Sequence, residues 1–448
     1  MNPEELTEKL SPPADRRLFI YSLWGVLALT VFSGVFLMVY YVPTFSQAFS
    51  SAERLNEQVP FGWMIRRLHA IGGNFVLLLI LLHLLRAFCR GDYKGVSKRT
   101  WLFGVLALGA AILGNFTGFF LPLSQSAFWG TTAVLSNLSS LPWIGGLGVD
   151  LLRGGKERGG TALIRFYSMH IGWAAVMVLL FFWHDRRMAT PEDRERGNEF
   201  PRLLAAGVVF AALLAILTLA PGWFIDPLKE IANPLANPER VSPPWYFLFL
   251  EETIKFFSGA YAYLTLIIFV LFPMLVLLLP WFDKSAEKNL LLRPVALALG
   301  STCGVLLIYF SLVGTANARY GQRIVIPDRP LSAAEFQGAK VFAEKNCAYC
   351  HPIFGREGRR EGPDMSAVTE RRRSSDWIRR FTLNARLYQP GTTMPRYEIP
   401  LEDLEALSQY LLSLDPRMEK FKAVDKKQFA EYGMYLFLQK GNPGEGKK

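Results

Sequence analysis

Cysteine and histidine are scarce: the 448-residue chain has four of the first and five of the second. Four cysteines, with Cys89 and Cys303 in or beside apolar runs, do not make a disulfide framework, and those two read as buried thiols. No small-residue cleavage site follows the first apolar run, which is also too long for a signal sequence, so that run is expected to stay. The formal net charge of +11 is shared between short connections and the tail, which gives no case for nucleic acid as a partner. Beyond about Asn317 no stretch is apolar for long enough to cross a bilayer.

What the chain has in quantity is apolar sequence, 51% of its residues. Seven runs have the length and composition of membrane-crossing helices: Leu18–Val42, Leu68–Phe88, Leu102–Pro122, Leu163–His184, Leu203–Phe224, Tyr261–Phe282 and Pro294–Gly314. The connections after the second, fourth and sixth runs hold Arg86, Arg90, Lys94, Lys98 and Arg99, then Arg186, Arg187, Arg194, Arg196 and Arg202, then Lys284, Lys288 and Arg293. Basic residues collect on the cytoplasmic side, so seven crossings put the N-terminus inside and the tail outside. The tail is polar, charged and punctuated by Pro-Asp and Pro-Gly, which is the composition of a soluble domain hung on a membrane domain.

Four of the five histidines lie in these runs, His69 and His83 in the second, His170 and His184 in the fourth, and each pair is fourteen positions apart. At 1.5 Å and 100° per residue, that spacing spans about 21 Å along a helix and returns to within about 40° of the same face. A lone intramembrane histidine is ordinarily an interhelical hydrogen bond. Two equal pairs, on helices that run in the same direction, instead set His69 against His170 at one depth and His83 against His184 at another. Opposed imidazoles at one depth make a bis-histidine axial site, which haem iron accepts, so two stacked b-type haems are expected. The third run supplies Gly104 and Gly118, again fourteen apart, where a missing side chain would let a haem edge approach the backbone. Arg66, Arg67 and Arg86 bracket the second run and either pair with haem propionates or snorkel at the helix ends.

The fifth histidine sits in NCAYCHPIF, where Cys347, Cys350 and His351 form C-x-x-C-H, the attachment sequence of a covalently bound c-type haem with His351 on its iron. A thioether is expected as the second axial ligand, Met394 in PGTTMPRY, with Met365 and Met418 as competitors and core filling as the plain role of each. Ala333 to Asn346 and Leu401 to Leu414 are apolar at helical period and would give two helices packed over this haem. Covalent haem attachment in bacteria takes place outside the cytoplasm, the side to which charge assigns the tail.

With these residues in view, the chain resembles a cytochrome b of the quinol-oxidising cytochrome bc family, joined to a class I cytochrome c. GFFLPLSQSAFWGTTAVLSN, from Gly118 to Asn137, is similar to that family's stretch at the end of its third helix. LPWIGGLGVDLLRGGKERGGTALIRFYSMH is similar to the cytochrome b6 form of the outer-face loop and the entry to helix four, and ERVSPPWYFLFLEETIKFF to the subunit IV stretch with the Pro-Glu-Trp-Tyr motif. The resemblance implies an all-α protein, a seven-helix transmembrane bundle with a four-helix di-haem core, followed by a small α-helical cytochrome c domain. Its parts would be a cytochrome b6-like domain over 1–200, a subunit IV-like domain over 201–316 and an extracytoplasmic cytochrome c domain over 317–448, in a bacterial inner membrane. For the residues beyond about Asp415, including Phe429 to Phe437, the sequence suggests no role.

The resemblance further implies that His69 and His170 bind the low-potential haem near the outer face, and His83 and His184 the high-potential haem near the cytoplasm. Quinol would bind between the end of the third helix, the Gly145 to Asp150 loop and the Pro243 to Tyr246 segment. One electron would pass to a Rieske iron–sulfur protein on a separate chain and then to the c haem, the other through the b haems to an inner quinone. The quinone pool, a soluble or membrane-bound electron acceptor and a second copy of the complex would be the partners. An alternative is a Rieske-independent subunit that links the quinone pool to the c-type haem without dividing the electron pair. Where the family motif has glutamate this chain has Pro244, so the proton-accepting role would fall to Glu251, two helical turns on, with Glu252 as the weaker candidate. Tyr246 and Asp150 are further polar groups for that site, and both glutamates would otherwise face water at the helix end. Leu123 and Ser124 also depart from the helix-three motif, and the first helix has no cysteine for the extra covalent haem of the b6f branch. Arg371, Arg372, Arg373, Arg379 and Arg380 would either receive an acidic carrier or form a solvated face.

Overall fold

The computed structural model describes residues 13–95, 98–139, 145–154, 160–188, 207–213, 228–233, 243–255, 270–317, 323–354, 362–371, 373–389, 396–415 and 420–425, with a few isolated positions besides. The chain forms two compact units, Met1–Ala127 with Ser139–Ile231 and Phe257–Tyr309, and Phe128–Leu138 with Ala232–Phe256 and Phe310–Lys448. In chain order the helices of the apolar part are α1 (Pro13–Tyr40), α2 (Ala48–Gln58), α3 (Gly62–Cys89), α4 (Lys98–Phe120), α5 (Gln125–Ser139), α6 (Gly145–Arg153), α7 (Gly160–Met188), α8 (Trp245–Lys255), α9 (Phe272–Phe282) and α10 (Pro294–Asn317).

Five helices among the described residues are long and apolar enough to cross a membrane: Phe19–Tyr40, Gly62–Cys89, Lys98–Phe120, Thr161–Arg187 and Pro294–Thr315. They carry apolar residues all round instead of on one stripe, as expected of segments solvated by lipid. Phe32 and Val39 on α1 are accordingly 73% and 76% exposed within the protein. The expected fifth crossing, Leu203 to Phe224, lies mostly outside the described residues. The sixth, Tyr261 to Phe282, is described chiefly in its last part, which forms α9 with Pro280 inside it.

In the first unit α1 packs along α3 and α4 along α7, and α3 also meets α4. Polar contacts at these seams satisfy groups that lipid would leave bare. Trp24 on α1 donates its indole N–H to Asp185 on α7 at 2.9 Å. Asn115 on α4 donates to the carbonyl of Gly73 on α3 at 3.1 Å. Trp101 on α4 reaches the carbonyl of Val276 on α9 at 2.8 Å. The short helix α2 is amphipathic and buries Phe49, Ala52 and Leu55.

The second unit contains the tail domain, built from β1 (Arg323–Pro327), α11 (Ala333–Glu344), α12 (Ser375–Leu383), α13 (Leu401–Ser413) and β2 (Phe421–Asp425). Ser332 caps α11, accepting from the N–H of Glu335 at 3.1 Å while the Glu335 carboxylate accepts from the N–H of Ser332 at 2.8 Å. Helices α11 and α13 cross at Gly338, where any Cβ would run into the carbonyl of Ala406. Beneath that crossing Phe342, Leu407 and fully buried Tyr410 form the core, and the Tyr410 hydroxyl donates to the carbonyl of Val325 at 2.6 Å.

A two-stranded antiparallel sheet departs from the all-helical expectation, with Arg323 opposite Asp425 and Pro327 opposite Phe421. Ile324, Val325 and Ile326 are buried there, β-branched residues that fit a pleated surface better than a helix. The segment beyond Asp415, for which the sequence suggests no role, therefore closes this domain. It supplies β2, and Phe429 stacks on Phe336 with ring centroids 4.8 Å apart.

Candidate haem centres and functional site

Helices α3 and α7 bring the four intramembrane histidines together as two facing pairs. The rings of His69 and His170 are 5.9 Å apart between centroids and inclined at 81°. Those of His83 and His184 are 5.2 Å apart at 87°, with the two Nε2 atoms 3.0 Å from each other. Nδ1 lies on a backbone carbonyl in three of the four: His69 on Thr30 at 2.9 Å, His170 on Gly114 at 2.8 Å and His184 on Thr100 at 2.7 Å. A carbonyl can only accept, so Nδ1 holds the proton in these three and the lone pair sits on Nε2, the tautomer a metal ligand needs.

Glycine lets the backbone come this close. A Cβ on Gly118 would stand 2.7 Å from Cε1 of His170, and one on Gly104 would stand 2.9 Å from Cε1 of His184. Gly34 on α1, which the spacing argument does not reach, does the same for His69 at 2.8 Å. Phe32-Ser33-Gly34 repeats Phe116-Thr117-Gly118, a likeness between α1 and α4 that would have pointed to it. Paired neutral imidazoles facing across glycine-lined seams fit the b-type haems expected from the spacing. Of the flanking arginines, Arg86 pairs with Asp92 at 3.0 Å and Arg67 lies over the Trp63 ring at 5.2 Å.

In the tail, Cys347–Tyr349 forms a single 3-10 turn, and the N–H of His351 closes on the carbonyl of Cys347 at 3.1 Å. Both cysteines are free thiols, and burial pushes that of Cys347 up to about 12. Burial also lowers the basicity of His351, against the opposing bond from its Nδ1–H to the carbonyl of Pro363 at 2.9 Å. Nε2 is thus left to act as a ligand, and Gly362 lies flat against the ring where any Cβ would overlap it. Met365 is 8% exposed and belongs to the apolar core. Met394 is half-buried, and Arg396 and Tyr397 just after it line a cavity of about 650 Å³ together with Leu383, Leu387 and Ile399. Met418 lies outside the described residues.

Three family models match the chain: Cytochrome b/b6/petB over residues 16–187, Cytochrome b(C-terminal)/b6/petD over 231–326 and Cytochrome c over 337–415. The chain belongs to the cytochrome b family. It joins the b6 and subunit IV portions of a cytochrome b to a C-terminal cytochrome c domain, and so is a membrane protein of b-type and c-type haem. A solved structure described as a hyperthermophilic respiratory Complex III is similar in fold, with a TM-score of 0.59 and 22% identity over 74% of this chain and 89% of that one.

Within this cytochrome b, the segments tied to quinol by resemblance are placed as follows. Ser124 caps α5, its hydroxyl accepting from the N–H of Ala127 at 3.1 Å, and Ser124 bridges to Ile231 in antiparallel fashion. Gly145 to Asp150, expected as a loop, forms most of helix α6 despite its three glycines: burial of Gly145 and Val149 and the bond from Arg165 of α7 to the carbonyl of Leu151 at 3.0 Å override their poor helix propensity. Pro244 directly precedes α8, on which Tyr246 is half-buried. Glu251 and Glu252 are 7% and 3% exposed, so the water-facing alternative for these glutamates does not hold. Glu252 packs by its Cγ against Gly314 on α10.

The arginines of the cytochrome c domain are largely used internally. Arg379 pairs with Glu405 and with Asp376 at 3.5 Å, Arg380 pairs with Asp376 at 3.0 Å, and Arg373 lies over the Trp377 ring at 4.3 Å. Arg371 is exposed, and Arg372 lies outside the described residues.

Proposed function

We propose that this chain is the haem-carrying subunit of a quinol-oxidising, quinol–cytochrome c reductase type complex. The observation that carries the reading is the pair of facing imidazole levels on α3 and α7 in a chain that also holds C-x-x-C-H. When bound, the haems supply one-electron oxidation and reduction. His69 with His170 and His83 with His184 would hold two b haems. Cys347, Cys350 and His351, with Met394, would hold one covalent c haem.

The protein's own groups do the rest. Backbone carbonyls fix the tautomers of His69, His170 and His184, and Gly34, Gly118 and Gly104 give those three rings room against the neighbouring helix. Glu251, with Glu252 and Tyr246 as the alternative candidates, accepts a proton as quinol gives up its electrons, because Pro244 cannot. One electron leaves toward a Rieske iron–sulfur protein on another chain and the cytochrome c domain, while the other crosses between the two imidazole levels to an inner quinone. Protons are released on the side of the cytochrome c domain and taken up on the other. The setting is a bacterial inner membrane with the N-terminus cytoplasmic, and the complex is a homodimer that serves the quinone pool and a soluble or membrane-bound acceptor.

The test is haem stoichiometry in the purified complex. Pyridine haemochrome spectra should give two b per c, and His83→Ala should remove one b haem only. Any other ratio, or loss of both b haems in that variant, overturns the assignment. A Rieske signal in the EPR spectrum supports division of the electron pair, and its absence from the native complex favours the Rieske-independent subunit.

A further inference from the structure

Thr30–Gly34 on α1 reads Thr-Val-Phe-Ser-Gly, and Gly114–Gly118 on α4 reads Gly-Asn-Phe-Thr-Gly. Their geometry repeats too. In each, the carbonyl of the first residue accepts the Nδ1–H of a histidine, and the fifth residue is the glycine against that same imidazole. The fourth is a hydroxyl residue whose Oγ lies on that same carbonyl, 2.9 Å for Ser33 on Thr30 and 3.0 Å for Thr117 on Gly114. Each hydroxyl also lies 2.8 Å from the carbonyl four residues back, and Ser33 and Thr117 are only 3% and 2% exposed. Back-bonding of serine and threonine is ordinary in helices. Here, both times, one of the two carbonyls that share the hydroxyl proton is the one that holds an imidazole.

The other level is built differently. Thr100–Gly104 grips His184 with the carbonyl of Thr100 and with Gly104, but its fourth residue is Phe103, which has no hydroxyl to offer.

We propose that Ser33 and Thr117 are positioning residues that raise the electron affinity of the His69/His170 haem by sharing the carbonyls that hold its ligands. The inference rests on the two-haem reading above. A carbonyl that already accepts an O–H bond pulls less on a second donor, so Nδ1–H of His69 and His170 stays with its ring. Each imidazole then has less imidazolate character and is a weaker donor to oxidised iron. Removing a hydroxyl frees the carbonyl, raises ligand basicity and stabilises the oxidised form. Ser33 Oγ is also 3.4 Å from Nδ1 of His69, so Thr117 is the cleaner site to change.

The test is the midpoint potential of each b haem in the purified full-length protein. Thr117→Val keeps the shape and removes the hydroxyl. It should make one b haem about threefold harder to reduce, about 28 mV for one electron, and leave the other b haem and the c haem unmoved. Thr117→Ser should restore the parent value, and Ser33→Ala should shift the same haem in the same direction. An unchanged or raised potential in both hydroxyl-deleting variants overturns the proposal, as does an equal shift in both b haems. If Thr117→Val loses the haem, Ser33→Ala, which deletes one oxygen, decides. Haem content measured alongside separates the two claims: a parent protein without two b haems refutes the underlying reading, whereas two b haems with unmoved potentials refute this inference alone.

Discussion

Arg293, at the start of α10, donates to the Tyr93 hydroxyl at 2.9 Å, and Tyr93 in turn donates to the carboxylate of Asp283. The same guanidinium bonds the carbonyls of Phe88 and Cys89 at 2.8 and 3.1 Å, and Lys94 bonds Asp283 at 2.8 Å. Burial pushes the Asp283 carboxyl up, but the bonds from Lys94 and Tyr93 outweigh it and hold the group below its ordinary range. The cluster ties the end of α3 to the connection between α9 and α10. With its side chain 3% exposed, Arg293 cannot be removed without taking a buried donor from the carbonyls of Phe88 and Cys89 and from the Tyr93 hydroxyl, while Asp283 keeps Lys94 and Tyr93. Arg293→Met should therefore cost about 2 kcal/mol, the scale for losing hydrogen bonds to a buried charged group. Thermal unfolding of the purified protein reads this, and an unshifted midpoint would show the cluster to be dispensable.

Glu335 is held by Arg329 at 2.7 and 2.9 Å and by the N–H of Ser332, which keeps its carboxyl at about 2 against an ordinary 4.5. A carboxyl lowered by folding adds stability above its unfolded value and loses it as pH falls through its folded value. The contribution is thus complete above about pH 4.5 and gone below about pH 2. Glu335→Gln should weaken the cytochrome c domain by about 1 kcal/mol at neutral pH, the scale of a helix cap. Acid unfolding followed at the haem absorption band should show that difference shrinking toward pH 2. A gap that stays constant with pH would contradict the assignment.

Much of this was legible because it is periodic or local. The fourteen-residue spacing of His69 with His83 and His170 with His184 follows from helix geometry alone, and C-x-x-C-H is contiguous. The Nδ1 acceptors were not legible, since a backbone carbonyl carries no residue identity; Thr30, Gly114 and Thr100 are known only once α1 and α4 are packed. Nor was the pairing of Arg323 with Asp425, a contact between short segments far apart in sequence. From sequence, Arg379 and Arg380 read either as a docking face for an acidic carrier or as a solvated face, and that Glu405 engages Arg379 is known only once α12 lies beside α13. Helix α6 is not legible because glycine-rich sequence, GGLGVD from Gly145, reads as a turn.

The remaining question of proton transfer turns on two adjacent carboxyl groups. Glu251 and Glu252 are both buried on α8, where an ionisable side chain is costly to place. Successive helical residues point about 100° apart, so the two cannot serve one site equally. Glu252 lies against Gly314, which gives it a packing role on α10. Glu251 lies two turns after Pro244, about 10 Å along the axis on nearly the same face, too far for a direct bond, so a water link of more than one molecule or a shifted quinol has to bridge it. Glu251→Gln should slow quinol oxidation by about 10- to 100-fold, as expected for loss of a general base, with all three haem spectra intact. Glu252→Gln should act mainly on stability. Unchanged turnover in Glu251→Gln, or the larger kinetic loss in Glu252→Gln, would move the proton-accepting role to Glu252 or to Tyr246.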